Sequence, residues 1–309
     1  MLASIDIGSN TVRLLLGSVE NRIVIPAMYA RRITRLKGGQ TEAGLTAEAM
    51  GRTLSALKEF SGIIAQNNVV ATRVVGTEAL RSAPNRHEVV TSLLDETGLK
   101  LELISGDEEA LLTTAGVCSA FDTSSSDFML VFDIGGGSTE FILLHQGDIV
   151  FQTSRRLGVV DLTESLPDYI QRETLISTTV TSVHNMIEPI LEKFKVLPET
   201  VTLVGTAGTV TTLAAINFEM TDYDWRKING SSLDISVIES IYKRLAPLSV
   251  SERESIPGME KGRGDLLPAG IEIILELMQQ FRATKLTVSD FGLLEGILLT
   301  MPTIYRSND

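Results

Sequence analysis

The chain has 309 residues, 43% of them hydrophobic and 21% charged. That length is enough for two domains of ordinary size, and the composition excludes a chain disordered throughout. The formal net charge of −12 argues against general nucleic-acid binding, which needs clustered Lys and Arg on phosphates.

The first segment, Leu2–Val19, is apolar and rich in β-formers, broken by Asp6-Ile7-Gly8-Ser9-Asn10-Thr11. A short glycine-containing break between two apolar runs predicts a hairpin. Arg22–Arg35 predicts a third strand, and Leu45–Ala65 a helix with Thr46 at its N-cap. Strands follow at Val69–Gly76 and Leu99–Ile104, then a helix over Ser105–Ala120. The run from Asp122 to Asp127 is small and polar and reads as a linker.

After it the pattern starts again. Phe128–Asp133 and Ser138–His145 are predicted strands around the turn Gly135-Gly136-Gly137, and Asp148–Ser154 is a third. A helix fits Gln171–Lys193, a strand Val201–Val204, a loop Gly205–Gly208 and a helix from Thr209. Helices at Leu233–Leu245 and Asp265–Phe281, a strand at Lys285–Val288 and a helix at Phe291–Leu299 complete the order. DIGSNT and DIGGGST, 127 residues apart, each open a three-strand meander followed by helices. The repeat predicts two α/β lobes, residues 1–122 with about 290–309 and residues 127–289, and a ligand cleft between them.

Glycine turns let backbone N–H groups approach an anion closely. Gly8, Ser9, Asn10 and Thr11 of the first turn, and Gly135, Gly136, Gly137, Ser138 and Thr139 of the second, are therefore candidate phosphate-binding residues. Asp6 and Asp133 sit at the strand ends beside them. Carboxylates facing a phosphate require an intervening cation, and Mg²⁺ suits a site of one or two carboxylates plus phosphate oxygens. Ordinary hairpins with capping Asp residues would explain one copy, but two copies at lobe-sized separation favour the ligand reading.

The charge is uneven. Residues 1–122 carry 12 basic and 14 acidic groups, and residues 123–309 carry 15 and 25. Six basic residues lie between Arg13 and Lys37, including Arg31 and Arg32, with Glu20 the only acid. They form either a solvated surface or one for an anionic substrate.

In Ser105-Gly106-Asp107-Glu108-Glu109, Ser105 and Glu108 fit a capping box. Glu109 points about 100° further round the helix, off the cap, where the helix N-terminus favours the ionised form that a general base requires. Arg81, after a strand and Gly76-Thr77-Glu78, is a candidate phosphate clamp or a surface ion pair. No GxxxxGK[ST] run occurs, which excludes a P-loop. A lone Cys118 excludes an intrachain disulfide, and His87, His145 and His184 lack metal-ligand spacing. No apolar run approaches the about 20 residues that span a bilayer, and no basic leader precedes the first strand; a soluble, cytoplasmic chain is expected.

DIGSNTVRLLL, GTEALR, SGDEEA, DIGGGSTE and GTAGT, in this order, resemble the exopolyphosphatase/guanosine pentaphosphate phosphohydrolase (Ppx/GppA) family. The likeness runs from Ser4 to about Gly296. It implies an α/β protein of two RNase H-like, actin-like lobes with the active site in the interlobe cleft. It implies Mg²⁺-dependent release of terminal phosphate from inorganic polyphosphate, or of the 5′ γ-phosphate of pppGpp, the stringent-response nucleotide. The catalytic glutamate maps onto Glu109 and the clamp arginine onto Arg81. Phosphate and metal residues map onto Asp133, Gly135, Ser138 and Glu140, with Asp6 a further metal candidate and Arg31 and Arg32 for the distal polyanion.

The resemblance also describes a short member lacking C-terminal helical domains. A homodimer is one expectation, with no membrane partner. Asp161 and Leu294 stand where the family commonly has Arg. The competing readings are a small-molecule kinase or ATPase of the same superfamily, and a non-catalytic sensor that binds (p)ppGpp or polyphosphate.

Overall fold

The computed structural model describes residues 1–121, 127–166 and 168–306, with side chains to residue 301. The predicted linker at 122–126 lies outside the described residues. In chain order the elements are β1 (Leu2–Ile7), β2 (Thr11–Glu20), β3 (Ile23–Ile33), α1 (Ala47–Gln66), β4 (Ala71–Gly76), α2 (Glu78–Ser82), α3 (Arg86–Thr97), β5 (Leu101–Leu103) and α4 (Gly106–Ala120). Then come β6 (Phe128–Ile134), β7 (Thr139–His145), β8 (Asp148–Arg155), α5 (Val159–Glu164), α6 (Tyr169–Phe194), β9 (Thr202–Thr206), α7 (Ala207–Asn217) and α8 (Trp225–Ile228). The last are β10 (Ser232–Asp234), α9 (Ile235–Leu245), α10 (Val250–Glu254), α11 (Leu267–Gln280), β11 (Lys285–Val288) and α12 (Leu293–Arg306).

The chain divides into two compact units, Met1–Ser119 with Gly292–Asp309, and Ala120–Phe291. The first unit holds a five-stranded sheet in the order β3-β2-β1-β4-β5. The β1–β2–β3 meander is antiparallel, while β4 and β5 run parallel to β1. Strand β1 lies between β2 and β4, so its residues from Ala3 to Ile7 are buried whichever face they occupy. One face is covered by α1 and α3 over a core of Ile5, Ile7, Leu14, Leu57 and Phe60. The other carries Val75, Ile104, Leu112, Leu293 and Ile297.

On that second face α4 and α12 approach through glycine. A Cβ on Gly116 would lie 1.8 Å from the Gly292 carbonyl oxygen, and one on Gly296 1.8 Å from that of Leu112. Helix α12 is also tied to the sheet, because Ser4 Oγ donates to the Leu294 carbonyl at 2.9 Å and Tyr29 Oη to Glu295 Oε1 at 2.7 Å. Leu294 itself is 5% exposed, an apolar core residue.

The second unit holds a six-stranded sheet in the order β10-β11-β9-β6-β7-β8. Again a meander, β6–β7–β8, is antiparallel, and the next strand, β9, pairs parallel to the first. All seven residues of β6 are buried. Helices α6, α7, α9 and α11 contribute Val180, Val183, Leu213, Ile238 and Ile274 to its core. Both sheets thus have the RNase H-like order that the repeat and the resemblance implied.

Several elements differ from the sequence reading. Thr46 does cap α1, accepting from Ala49 N at 3.3 Å. The capping box at α4 is half made: Ser105 Oγ accepts from Glu108 N at 3.1 Å, but the Glu108 carboxylate pairs with Arg73 at 2.8 Å. Arg73 is 11% exposed along its side chain, and its burial draws Glu108 away from the cap. Helices α2 and α3 were not anticipated. The predicted Gly205–Gly208 loop is absent: β9 runs to Thr206 and α7 starts at Ala207, the chain turning through a φ of 68° at Ala207. Residues 233 and 234, expected to begin a helix, form β10 against β11.

Candidate functional site

The two hairpin turns close in the same way. Gly8 N donates to the Thr11 carbonyl at 3.0 Å, and Gly135 N to the Ser138 carbonyl at 2.9 Å. In the first unit the carbonyl of Asn10 accepts from Thr34 and Arg35, and that of Ser9 from Lys37, each at 2.9 Å. The segment after β3 therefore clamps the turn. Ser9, Asn10 and Thr11 are each at most 7% exposed.

In the second unit the glycine turn is held by the start of α5. Val159 N donates to the Gly135 carbonyl and Val160 N to that of Gly136. Gly158 makes this contact sterically allowed, since a Cβ there would come within 2.2 Å of the Gly136 oxygen and 2.3 Å of Gly137. Thr139 Oγ1 donates to the Leu157 carbonyl and fixes the same segment. Asp161 lies in the first turn of α5, where a carboxylate complements the helix dipole.

The rows across the sheets beside these turns differ in charge. In the first unit Asp6 is opposite Arg13, which is opposite Arg31. Arg13 Nη2 and Nε contact Asp6 Oδ2 at 2.7 and 3.0 Å. Asp6 Oδ1 is buried without a hydrogen-bond donor. In the second unit Asp133 is opposite Glu140, which is opposite Ser154. Asp133 and Glu140 are 6% and 1% exposed. Glu140 Oε1 accepts from Ser138 Oγ at 2.8 Å and from Ser154 Oγ at 2.7 Å. Two carboxylates directly opposite each other repel unless a positive group lies near.

Arg31 and Arg32 point to opposite faces of β3 by strand alternation. Arg31 stands in the Asp6–Arg13 row, whereas Arg32 pairs with Glu59 of α1. Lys37 pairs with Glu78 at 2.8 Å, both side chains 11% exposed. Much of the basic run is therefore engaged within the first unit.

Arg81 and Glu109 come together. Arg81 rides on the short α2 that leaves the end of β4, and Glu109 on the first turn of α4. Arg81 Nη1 donates to the Ile104 carbonyl at 2.8 Å and to Glu109 Oε2 at 3.3 Å. The Glu109 side chain is 10% exposed and that of Arg81 29%. The result is a nearly buried carboxylate held in place with a guanidinium beside it.

Sequence reasoning placed Arg13 only in the basic run, without its partner Asp6, and gave Ser154 and Gly158 no role. Arg13 was visible as the residue seven positions after Asp6, the spacing that separates Asp133 from Glu140. Gly158 and Ser154 carry no local signal, because their roles depend on segments folding back onto the turn. Among the described residues no cluster of three or more His, Cys, Asp or Glu side chains is gathered for a metal ion, and no helix is long and apolar enough to cross a membrane.

The Ppx/GppA phosphatase family matches residues 22–303. The chain is 33% identical over 311 residues to a bifunctional 3-dehydroquinate synthase/phosphatase of Fusobacterium nucleatum, covering 96% of this chain but 46% of that one. It is 32% identical over 318 residues to exopolyphosphatase 2 of Mycobacterium tuberculosis, covering 97% and 98%. Against the guanosine-5′-triphosphate,3′-diphosphate pyrophosphatase of Photobacterium profundum it is 29% identical over 320 residues, covering 100% of this chain and 61% of the relative. Thus it spans about half to three-fifths of two of these relatives and nearly all of the third.

Among solved structures, an exopolyphosphatase from Cytophaga hutchinsonii is similar with a TM-score of 0.85 at 29% identity, covering 97% of each chain. The Ppx/GppA member of Aquifex aeolicus gives 0.77 at 28% identity, covering 100% of this chain and 98% of that one. The fold is the actin-like α/β class of those structures. With the family match extending over nearly the whole chain and both hairpins in place, this protein belongs to the Ppx/GppA phosphatase family.

Proposed function

We propose that the protein hydrolyses phosphoanhydrides, releasing terminal phosphate from inorganic polyphosphate, the 5′ γ-phosphate of pppGpp, or both. The observation that carries this reading is the Arg81–Glu109 pair at 3.3 Å, in a chain whose relatives are named for these two substrates. Glu109 orients a water and takes its proton as the water oxygen bonds to the terminal phosphorus. The bridging P–O bond breaks, and the shortened polyphosphate or ppGpp leaves. Arg81 holds the transferring group. Gly8, Ser9, Asn10 and Thr11, with Gly135, Gly136, Gly137, Ser138 and Thr139, are assigned to phosphate binding; the Gly8 and Gly135 N–H groups close the turns and the Ser138 and Thr139 hydroxyls donate to Glu140 and Leu157, so the remaining N–H groups of the turns and the Ser9 and Thr11 hydroxyls would be the donors. Phosphoryl transfer is mainly positioning and electrostatics, so these groups are sufficient in kind.

Asp133 with Glu140 would hold Mg²⁺. When bound, the ion neutralises phosphate charge and aligns the anhydride. Arg31 lies on β3 in the row that contains Asp6 and Arg13 and is assigned to the distal phosphates; Arg32, paired with Glu59, is a weaker contributor. The reading further assigns the protein to the cytoplasm, and a homodimer is the oligomer to test.

The test is a phosphate-release assay with Mg²⁺ on long polyphosphate, short polyphosphate and pppGpp. Release from at least one is expected. Binding of all three without release would replace the reading with a sensor, and turnover of ATP alone with a kinase or ATPase.

A further inference from the structure

We infer that Glu78, through its ion pair with Lys37, is a positioning residue that fixes Arg81 relative to the first glycine turn. The inference rests on the roles proposed above for Arg81 and that turn, and it gives neither Glu78 nor Lys37 a contact with substrate.

The need for such a tie follows from α2. The helix is five residues long, and its N-cap Thr77 makes no side-chain capping bond. So short a helix has little stability of its own, and its surroundings set the direction in which Arg81 leaves it. Ala79 and Leu80 are fully buried, which fixes the depth of α2, but apolar burial is non-directional. The polar contacts of Thr77 are long: its N and Oγ1 approach the Ile7 carbonyl at 3.3 and 3.5 Å.

Glu78 supplies a short and directed contact. Its Oε2 accepts from Lys37 Nζ at 2.8 Å, with both side chains 11% exposed. A pair so far from bulk water is screened much less than a surface pair, and loss of either partner strands the other charge. Glu78 also lies in the first turn of α2, where the helix dipole favours a carboxylate. Lys37 is itself seated on the first hairpin. Its N–H donates to the Ser9 carbonyl at 2.9 Å, beside the Thr34 and Arg35 N–H groups on the Asn10 carbonyl. Further along the same segment, Asn85 at the start of α3 accepts from Leu45 N at 2.9 Å and donates to the Leu45 carbonyl at 3.0 Å.

These contacts run in series within the first unit, from the glycine turn to Lys37, Glu78 and Arg81. Arg81 is three residues after Glu78, nearly one turn of helix, and its Nη1 meets the Ile104 carbonyl and Glu109. The ion pair opposes rotation of α2, which would swing the guanidinium away from Glu109 and from a phosphate seated on the turn. Misplacement by about 1 Å is enough to cost about 10²-fold in rate.

The experiment is a mutant cycle on the full chain: Glu78→Gln, Lys37→Met and both together, with Lys37→Arg as the conservative control. On whichever of polyphosphate and pppGpp the wild type cleaves, each single variant is expected to lower kcat by about 10-fold to 10²-fold. KM should stay within about twofold, since no ground-state contact is removed. The double variant should be no worse than either single one, because the same link is lost once, and Lys37→Arg should keep most of the activity. It also leaves neither charge stranded, so it carries the test if a single variant does not fold. A raised KM with kcat intact, additive losses, or an unchanged kcat in Glu78→Gln overturns the inference. Hydrogen exchange without substrate reads the same tie apart from turnover. In Glu78→Gln the Arg81 and Lys37 amides are expected to exchange at least about tenfold faster, with those of α1 unchanged. Equal protection in variant and wild type overturns the inference even where phosphate is released. Faster exchange in a chain whose wild type releases no phosphate overturns the proposed function and leaves the tie standing.

Discussion

Arg81 Nη1 lies 3.3 Å from Glu109 Oε2, although the residues are 28 positions apart and ride on different helices. Ile104, just before the turn into α4, accepts from the same Arg81 nitrogen at 2.8 Å. One guanidinium thus fixes both the approach of α4 and the carboxylate on its first turn. Glu109→Gln preserves the shape and removes the proposed base. It is expected to lower kcat for phosphate release by about 10²–10⁴-fold, with an unchanged thermal midpoint. Arg81→Ala should cost about 10²–10³-fold through lost charge stabilisation. Steady-state kinetics on polyphosphate and pppGpp checks both.

Gly158→Ala tests the seat of the second glycine turn. The added methyl would overlap Gly136 and Gly137 backbone atoms, which no side-chain rotation relieves. A loss of about 1–3 kcal/mol in stability is expected from overpacking, with a larger fall in phosphate release than the stability loss explains. Denaturant melts and kinetics on the same sample separate the two effects.

Ser154→Ala removes one of the two hydroxyls that orient Glu140. Partners behind a metal ligand are worth about 10–100-fold in metal affinity. The Mg²⁺ concentration for half-maximal phosphate release should rise accordingly, while release at saturating Mg²⁺ recovers. An unchanged Mg²⁺ requirement would remove Glu140 from the metal assignment.

The net charge of −12 is a poor guide to the sign along the substrate path. Phosphate release at sub-saturating polyphosphate is expected to fall as ionic strength rises from about 0.05 to 0.5 M, because salt screens Arg–phosphate attraction. Arg31→Gln should flatten that dependence. A salt-independent kcat/KM would argue against a basic path.

A half-buried cluster in the second unit predicts behaviour at high pH. Arg172 Nε contacts Glu272 Oε2 at 2.6 Å, and Tyr242 Oη donates to Glu272 Oε1 at 2.6 Å. Burial, then the Glu272 carboxylate, push the Tyr242 phenol above its ordinary value. Its folded-state pKa is raised, so its stabilisation is full below the unfolded value near 10 and is lost as pH climbs above that. Wild type should therefore lose stability above about pH 10 more steeply than Tyr242→Phe, as measured by urea midpoints across that range.

Most of the fold was legible in the sequence. Strands such as β1 and β6 are near-continuous apolar runs because both their faces are covered, and the Asp-Ile-Gly turns between them break the pattern twice at the same point. Glu109 could be singled out because Ser105 and Glu108 mark the helix start, leaving the next carboxylate on another side. Helices α2 and α3 were not legible: α2 is five residues long, and α3 buries Val89 and Leu93 but has little apolar stripe.

What the sequence by itself determined was the repeat, the family and the identities of the charged groups. Only tertiary structure decided which charges meet. Asp6 and Asp133 have the same local surroundings in sequence, yet one is held by Arg13 and the other faces Glu140. Arg31 and Arg32 are neighbours in the chain and lie on opposite faces of β3. Local pattern reports on burial, which depends on each residue's own apolarity. Electrostatic partnership depends on distance between segments, and strand register sets that distance.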